Sequence, residues 1–341
     1  MINKNSHSNN EYRYPFLLRP VGKDYLWGGE RLNTEFGKNI NLHPLAETWE
    51  CSTHQDGVSQ IASGIYAGTN LTQFISEYPG TLGNRYQHIK ELPILVKFID
   101  AKQNLSVQVH PSDEYARENE NGQLGKSEMW YIVDAIKDAK IIYGFNHNIN
   151  ANQVESSIKN GNIEKYLNSV SVKKDEIFFI EAGTVHAIGA GTLIAEIQEN
   201  SNLTYRLYDY NRLDKDGNKR QLHIEKALKV LNYKSSDDPR QPMRVLKYQN
   251  GCASELLCRC KYFEVSRLLV NTEVLRTTFN FQSDSLSFRV LLCLNGCGSI
   301  RFEQEGKIEL IDFYKGDTIF VPANSVVFGI NGKVQFLDVR C

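Results

Sequence analysis

Apolar and polar positions alternate through most of this chain in short runs of strand periodicity, and glycine, proline and asparagine break the runs apart. Strands are predicted over residues 47–52 (ETWECS), 64–68 (GIYAG), 93–99 (PILVKFI), 129–133 and 141–145, the last two joined as a hairpin through 134–140. Further strands follow at 176–180, 183–188, 192–198 and 203–208. Helical character is confined to short pieces: 72–77 behind Asn70, 111–117 with Ser112 as its cap, 150–168, and 223–231. In the last of these, Ile224, Ala227, Leu228 and Leu231 line one face. The polar stretch 234–242 (KSSDDPRQP) reads as a linker, and beyond it the pattern is almost purely β. The expected division is a polar, disordered lead at 1–14, a domain at 15–235 with helical insertions, and a C-terminal barrel at 243–341.

Composition excludes several classes. A chain of 341 residues can bury a core large enough for two domains, and 41% apolar with 23% charged residues is ordinary for a soluble globular protein. A formal net charge of −1 gives no general attraction to nucleic acid or to anionic membranes, so any anion must be bound locally. The lead MINKNSHSNNEY has no apolar signal core, and the most apolar run, 92–99, is too short to cross a bilayer. All but Cys51 of the seven cysteines lie beyond residue 250. An odd count without a secretory signal points to free thiols in a reducing cytoplasm. Cys258 and Cys260, and Cys293 and Cys297, read as small strand side chains rather than zinc ligands.

The β pattern also repeats. KDEIFFIEAGTVH, ending at His186, matches KGDTIFVPANSVV, ending at Val327, and the upstream segment 130–135 matches 291–296. The helical stretch at 150–168 accounts for the extra length of the first copy. A strand, a turn ending in histidine and a further strand resemble the second half of a cupin barrel. The fold expected is therefore mostly β, a double cupin of two jelly-roll barrels with a small helical insertion. In the repeat, His186 stands opposite Val327 and Glu128 opposite Arg289, so the C-terminal copy is expected to be a metal-free structural barrel.

Candidate ligands cluster in the first copy. In an extended SVQVHPSD segment, Gln108 and His110 share a face. Glu128 stands at the mouth of the next strand, and His186 ends the strand-turn motif. Two imidazoles, a carboxylate and an amide oxygen suit Zn²⁺ and would also accept Fe²⁺ or Mn²⁺.

The motifs QVHPSDEYA, GKSEMWYI, LPILVKFIDAKQNLSVQVHP and GTVHAIGAGTLIAEIQENSNLTYRLYDYNR resemble those of type I phosphomannose isomerases in their short bacterial form. The likeness covers most of 15–235 and, more loosely, the C-terminal barrel. It implies one zinc ion held by Gln108, His110, Glu128 and His186, with Arg206 and Lys126 as active-site cations. It also implies conversion of mannose 6-phosphate to fructose 6-phosphate through an enediolate; from composition, a soluble protein with no nucleic-acid or membrane partner is expected, as a monomer or weak homodimer. Longer members carry a histidine immediately before the loop lysine. Here that place is Gly125, and a ring-opening role for the histidine does not carry over.

Several assignments stay open in the sequence. Arg206 could instead pair with Asp209, Lys126 could be a solvated loop lysine, and Lys97 could meet a carboxylate or face the cavity. The base could be Glu196, Glu199, Lys126 or a water. Trp27, Trp49, Trp130, Tyr205 and Tyr208 could wall a sugar site or fill the core. The competing functions are another cupin metalloenzyme, such as an iron oxygenase or a different sugar-phosphate isomerase, and a non-catalytic sugar-phosphate sensor.

Overall fold

The computed structural model describes residues 11–213, 216–237, 239, 245–274 and 276–341. Of the expected lead, residues 1–10 lie outside that set and Glu11–Arg13 forms a 3-10 turn. The expected linker is described only at 234–237 and 239.

Among the described residues three antiparallel sheets carry the fold, in agreement with the mostly β double-cupin expectation. A six-stranded sheet runs in the order Ile177–Ile180, Glu128–Ala135, Thr192–Glu199, Ile94–Ala101, Glu47–Cys51, Val21–Lys23. The five-stranded sheet of the same barrel runs Tyr205–Tyr208, Val107–Val109, His186–Ile188, Lys140–Phe145, Leu167–Ser171. A ten-stranded sheet forms the second barrel around the long strands Arg289–Gln304 and Phe328–Arg340.

Two local expectations need correction. Residues 64–68 form a turn rather than a strand. Gly64 and Gly68 adopt φ of +74° and +89°, and Gly68 N–H returns to the Ile61 carbonyl at 2.8 Å, closing the chain on itself. Glu128–Ala135 and Lys140–Phe145 are not a hairpin either. They belong to different sheets, so the connection through 136–139 turns the corner of the barrel. Alternating polarity reports which face of a strand is buried but not which strand is its neighbour.

The helices form where their caps lie. Asn70 accepts from the N–H groups of Thr72 and Gln73 ahead of Leu71–Glu77, and Ser112 accepts from Tyr115 ahead of Asp113–Asn119. Ala151–Lys159 begins with a reciprocal capping box between Asn150 and Gln153.

The barrels are joined by more than the linker. Phe16–Arg19, from the N-terminal segment, pairs with Thr318–Val321 in the second barrel and with Gln60–Ile61 on its other edge. Phe16 packs edge-on to Phe74 and stacks on Phe320, which stacks in turn on Phe288. One apolar core therefore runs from Phe98 and Met129 of the first barrel into Val290 and Leu337 of the second. A buried ion pair of the first barrel is tied across the same boundary by a hydrogen bond. Lys38 Nζ lies 2.6 Å from Glu50, whose second oxygen accepts from Thr318 Oγ1 at 2.8 Å. In urea unfolding, Lys38→Met is expected to cost about 3–5 kcal/mol, because Glu50 is left fully buried without its cationic partner. Val327→Ala, at a side chain 56% exposed, is expected to stay within about 0.5 kcal/mol.

Candidate metal centre and active-site pocket

Register in the five-stranded sheet sets three chemically active side chains in one transverse row. Arg206 pairs with Gln108, and Gln108 with His186. His110 follows Gln108 by two residues and shares its face. The facing sheet aligns Trp49, Lys97, Glu196 and Trp130 across four strands, and Glu128 enters the same face two residues before Trp130.

His110, Glu128 and His186 meet at the base of the barrel, each no more than 1% exposed, with donor atoms within 4.8 Å of one another. The two Nε2 atoms each lie 3.4 Å from a different Glu128 oxygen. Each Nδ1 faces a backbone carbonyl at 2.8 Å, Leu203 for His110 and Thr184 for His186. With Nδ1–H donating outward, the Nε2 lone pairs point into the cluster. Gln108 Nε2 lies 3.3 Å from His186 Nε2, and a half-turn of the amide would present its oxygen there instead.

These residues fit a metal ion. His110 Nε2 and both Glu128 oxygens are buried without a hydrogen-bond partner. Burial drives both imidazoles toward the neutral form, His110 to about 3 with Lys126 adding to the effect. Burial pushes the Glu128 carboxyl up, but Lys126 and His110 outweigh it and hold it well below the usual range. Neutral imidazoles beside a desolvated carboxylate form the donor set a divalent cation requires.

Above the cluster opens a cavity of about 270 Å³ whose lining includes Tyr25, Trp27, Lys97, Gln108, Lys126 and Arg206. A larger cavity of about 440 Å³, between Arg85 and Arg340, contains none of these donors, so size does not mark the chemistry. Lys126 is not solvated. Its side chain is 5% exposed, with Nζ 3.0 Å from Glu128 and 3.8 Å from Glu196. Arg206 donates to Ser106 Oγ at 3.2 Å and to the Gln221 carbonyl at 2.9 Å, while Arg212 and Arg220 take Asp209. Lys97 both faces the cavity and meets carboxylates, with Nζ 3.6 Å from Glu47 and 3.3 Å from Glu196.

The aromatic residues divide between wall and core. Trp27 lines the cavity, whereas Trp49 and Trp130 are fully buried and donate their indole N–H groups to Glu47 at 2.8 Å and Glu196 at 3.0 Å. Tyr205 is buried and donates to Glu120 at 2.7 Å. Of the carboxylates open as bases, Glu196 lines the cavity, its pKa raised by burial and by the Glu128 charge. Glu199 is turned away, accepting from the Ser127 N–H at 2.7 Å. Glu47, Tyr25 and Arg220, which no motif in the sequence singles out, also line the cavity. Glu47 alone had a signal, since it shares a strand face with Trp49.

The Lys126 loop is fixed by three consecutive N–H groups. Gly125 donates to Asp113 Oδ1 at 3.0 Å, Lys126 to the Pro111 carbonyl at 3.0 Å, and Ser127 to Glu199. A Cβ on Gly125 would lie 2.3 Å from Asp113 N and 2.4 Å from the Ser112 carbonyl carbon, so no side chain fits. That contact is the physical reason for glycine at this position. In the second barrel, Arg289 stands where Glu128 does in the first. It forks onto the buried carboxylate of Asp338 and lies 5.2 Å from the Phe281 ring centre.

A jelly-roll barrel that gathers two imidazoles and a carboxylate beneath a polar, cation-lined cavity defines a cupin with a candidate metal centre. The profile of "Phosphomannose isomerase type I, catalytic domain" matches residues 16–142. The mannose-6-phosphate isomerase ManA of Bacillus subtilis is 40% identical over 253 residues, 74% of this chain and 78% of that protein. The mannose-6-phosphate isomerase of Streptococcus mutans is 40% identical over 217 residues, 64% and 67% of the two chains. The crystal structure of the Bacillus subtilis mannose 6-phosphate isomerase superposes with a TM-score of 0.87 at 32% identity, covering 96% of this chain and 99% of that one. The chain belongs to the type I phosphomannose isomerases, and it is an aldose-ketose isomerase of mannose 6-phosphate.

Gly125→Ala is expected to displace Lys126 and lower kcat about tenfold or more, given the sensitivity of catalysis to misplacements of about 1 Å. Thermal unfolding and steady-state kinetics measured together check this, the loss appearing in kcat while the fold persists.

Proposed function

We propose that the cavity binds the open-chain sugar phosphate over a single zinc ion held by Gln108, His110, Glu128 and His186, and that Glu196 moves the proton between C1 and C2. The observation that carries this reading is that buried donors lacking hydrogen-bond partners, His110 Nε2 and the Glu128 oxygens, meet Gln108 and Lys126, which also line the cavity that holds Glu196 and Arg206. A cation on those four donors would supply Lewis-acid support to the substrate oxygens at C1 and C2.

The chain's own residues supply the rest. Glu196 takes the C2 proton of the aldose and returns it to C1. The C1 oxygen gains a proton as the C2 hydroxyl loses one, leaving the ketose. Lys97 and Lys126 flank Glu196 at 3.3 and 3.8 Å and offset its negative charge once it has released the proton. Trp130 fixes the other oxygen of Glu196 and so sets which one faces the substrate. Arg206 lies across Gln108 on the other sheet, where its guanidinium offers a permanent charge to enediolate or phosphate oxygens. Arg220 also lines the cavity, but it is forked onto Asp209, so Arg206 is the guanidinium left for an anion.

The donor set is complete within one chain, which supports a working monomer or weak homodimer. No helix among the described residues is long and apolar enough to cross a membrane. The cysteines are all free thiols, which supports a reducing, cytoplasmic setting.

A coupled assay of mannose 6-phosphate conversion, run on metal-free, zinc-loaded and iron-loaded protein, tests the proposal. Zinc is expected to restore turnover and Glu196→Gln to abolish it. Turnover with iron alone would point to different metal chemistry, and full activity in Glu196→Gln would remove its assigned role.

A further inference from the structure

We infer that Tyr262, carried by the C-terminal barrel, is a positioning residue for the active site and acts through a clamp on the loop that presents Lys126. This rests on Lys126 being an active-site cation. Tyr262 lies in the turn between Cys252–Arg259 and Glu264–Asn271, and its hydroxyl donates to Asp113 Oδ2 at 3.0 Å. The other oxygen of Asp113 receives the Gly125 N–H, and Glu199 receives the Ser127 N–H. The two carboxyl groups thus grip the residues on either side of Lys126. The two carboxyl groups also act on each other, the Asp113 charge adding to burial in raising Glu199. Burial is the larger cause, raising Glu199 to about 8, while the Ser127 N–H pulls the other way.

Three features separate this clamp from ordinary packing. Its two carboxyl groups lie on the catalytic barrel, but one of its donors comes from the other barrel. The Tyr262 ring packs against the apolar core shared by the barrels, so the aromatic body has its own structural role and the hydroxyl is left for Asp113. Lys261, beside it, reaches the same Asp113 oxygen only at 3.5 Å and is largely exposed, so it cannot fix the carboxylate in the hydroxyl's place. The Cys260 thiol is the remaining titratable group of this turn that bears on Glu199. The consequence reaches the chemistry because Lys126 Nζ stands 3.0 Å from Glu128 and 3.8 Å from Glu196, distances set by where the loop backbone is held.

Tyr262→Phe keeps the ring and removes the hydroxyl. In the metal-loaded full chain its kcat is expected to fall about five- to tenfold with KM within about twofold, the loss of one hydrogen bond to a charged group. Melting temperature and metal content are expected to match the parent. In a Lys126→Gln background the same change is expected to reduce the residual rate by less than about twofold, because residues acting through one another are not additive. An unchanged kcat in Tyr262→Phe, or a full multiplicative loss in the Lys126→Gln background, would overturn the inference. If Tyr262→Phe lowers the melting temperature, Asp113→Asn opens the clamp from the catalytic side and must show the same kcat loss. Turnover by the parent chain in parallel tests the isomerase reading separately, so the two failures are distinguishable.

Discussion

The structure is organised around one costly group, the carboxylate of Glu128, fully buried and without a hydrogen-bond donor of its own. A lone desolvated carboxylate is not tolerated in a protein interior, so positive charge must stand close to it. Lys126 supplies part of that charge from a loop, and the two imidazole lone pairs leave room for a cation to supply the rest. The features that position this group follow from strand register. One sheet contributes Arg206, Gln108 and His186 in a row, and the other contributes Lys97 and Glu196 with Glu128 beside them.

The second barrel has the same frame with different contents. Arg289 replaces Glu128, and its neutralising partner is Asp338 of the same chain, so the buried charge is balanced internally. It meets the first barrel through strand pairing, ring stacking and polar contacts. Strand Phe16–Arg19, the aromatic stack through Phe320 and the Lys38–Glu50–Thr318 contact join the two bodies into one core. Tyr262 extends that union to the loop at the active site.

Much of this was legible in the sequence because strand period fixes which residues share a face. Gln108 and His110 were expected on one face, and the repeat pointed to Glu128 and His186 as residues special to the first copy. The structure brings these together, along with Lys126 and Arg206. What the sequence could not convey was pairing between strands distant along the chain. The segments 129–133 and 141–145 look like a hairpin, yet they lie in different sheets, and nothing in Phe16–Arg19 indicates that its partner is Thr318–Val321. The same limit hid Glu47, whose approach to Lys97 depends on Glu47–Cys51 pairing with Ile94–Ala101. Gly125 was visible as a departure from longer relatives, but its cause, the loop lying directly on Ser112 and Asp113, is a tertiary contact.

The buried donors of the first barrel could hold a metal ion. Anomalous scattering from a crystal of the zinc-loaded protein, measured on both sides of the zinc absorption edge, addresses this most directly. One strong peak per chain is expected, bounded by Nε2 of His110, Nε2 of His186, the Glu128 carboxylate and the Gln108 amide oxygen. A crystal of the loaded protein with no peak at that point, or with its peak among the cysteines of the C-terminal barrel, would contradict it.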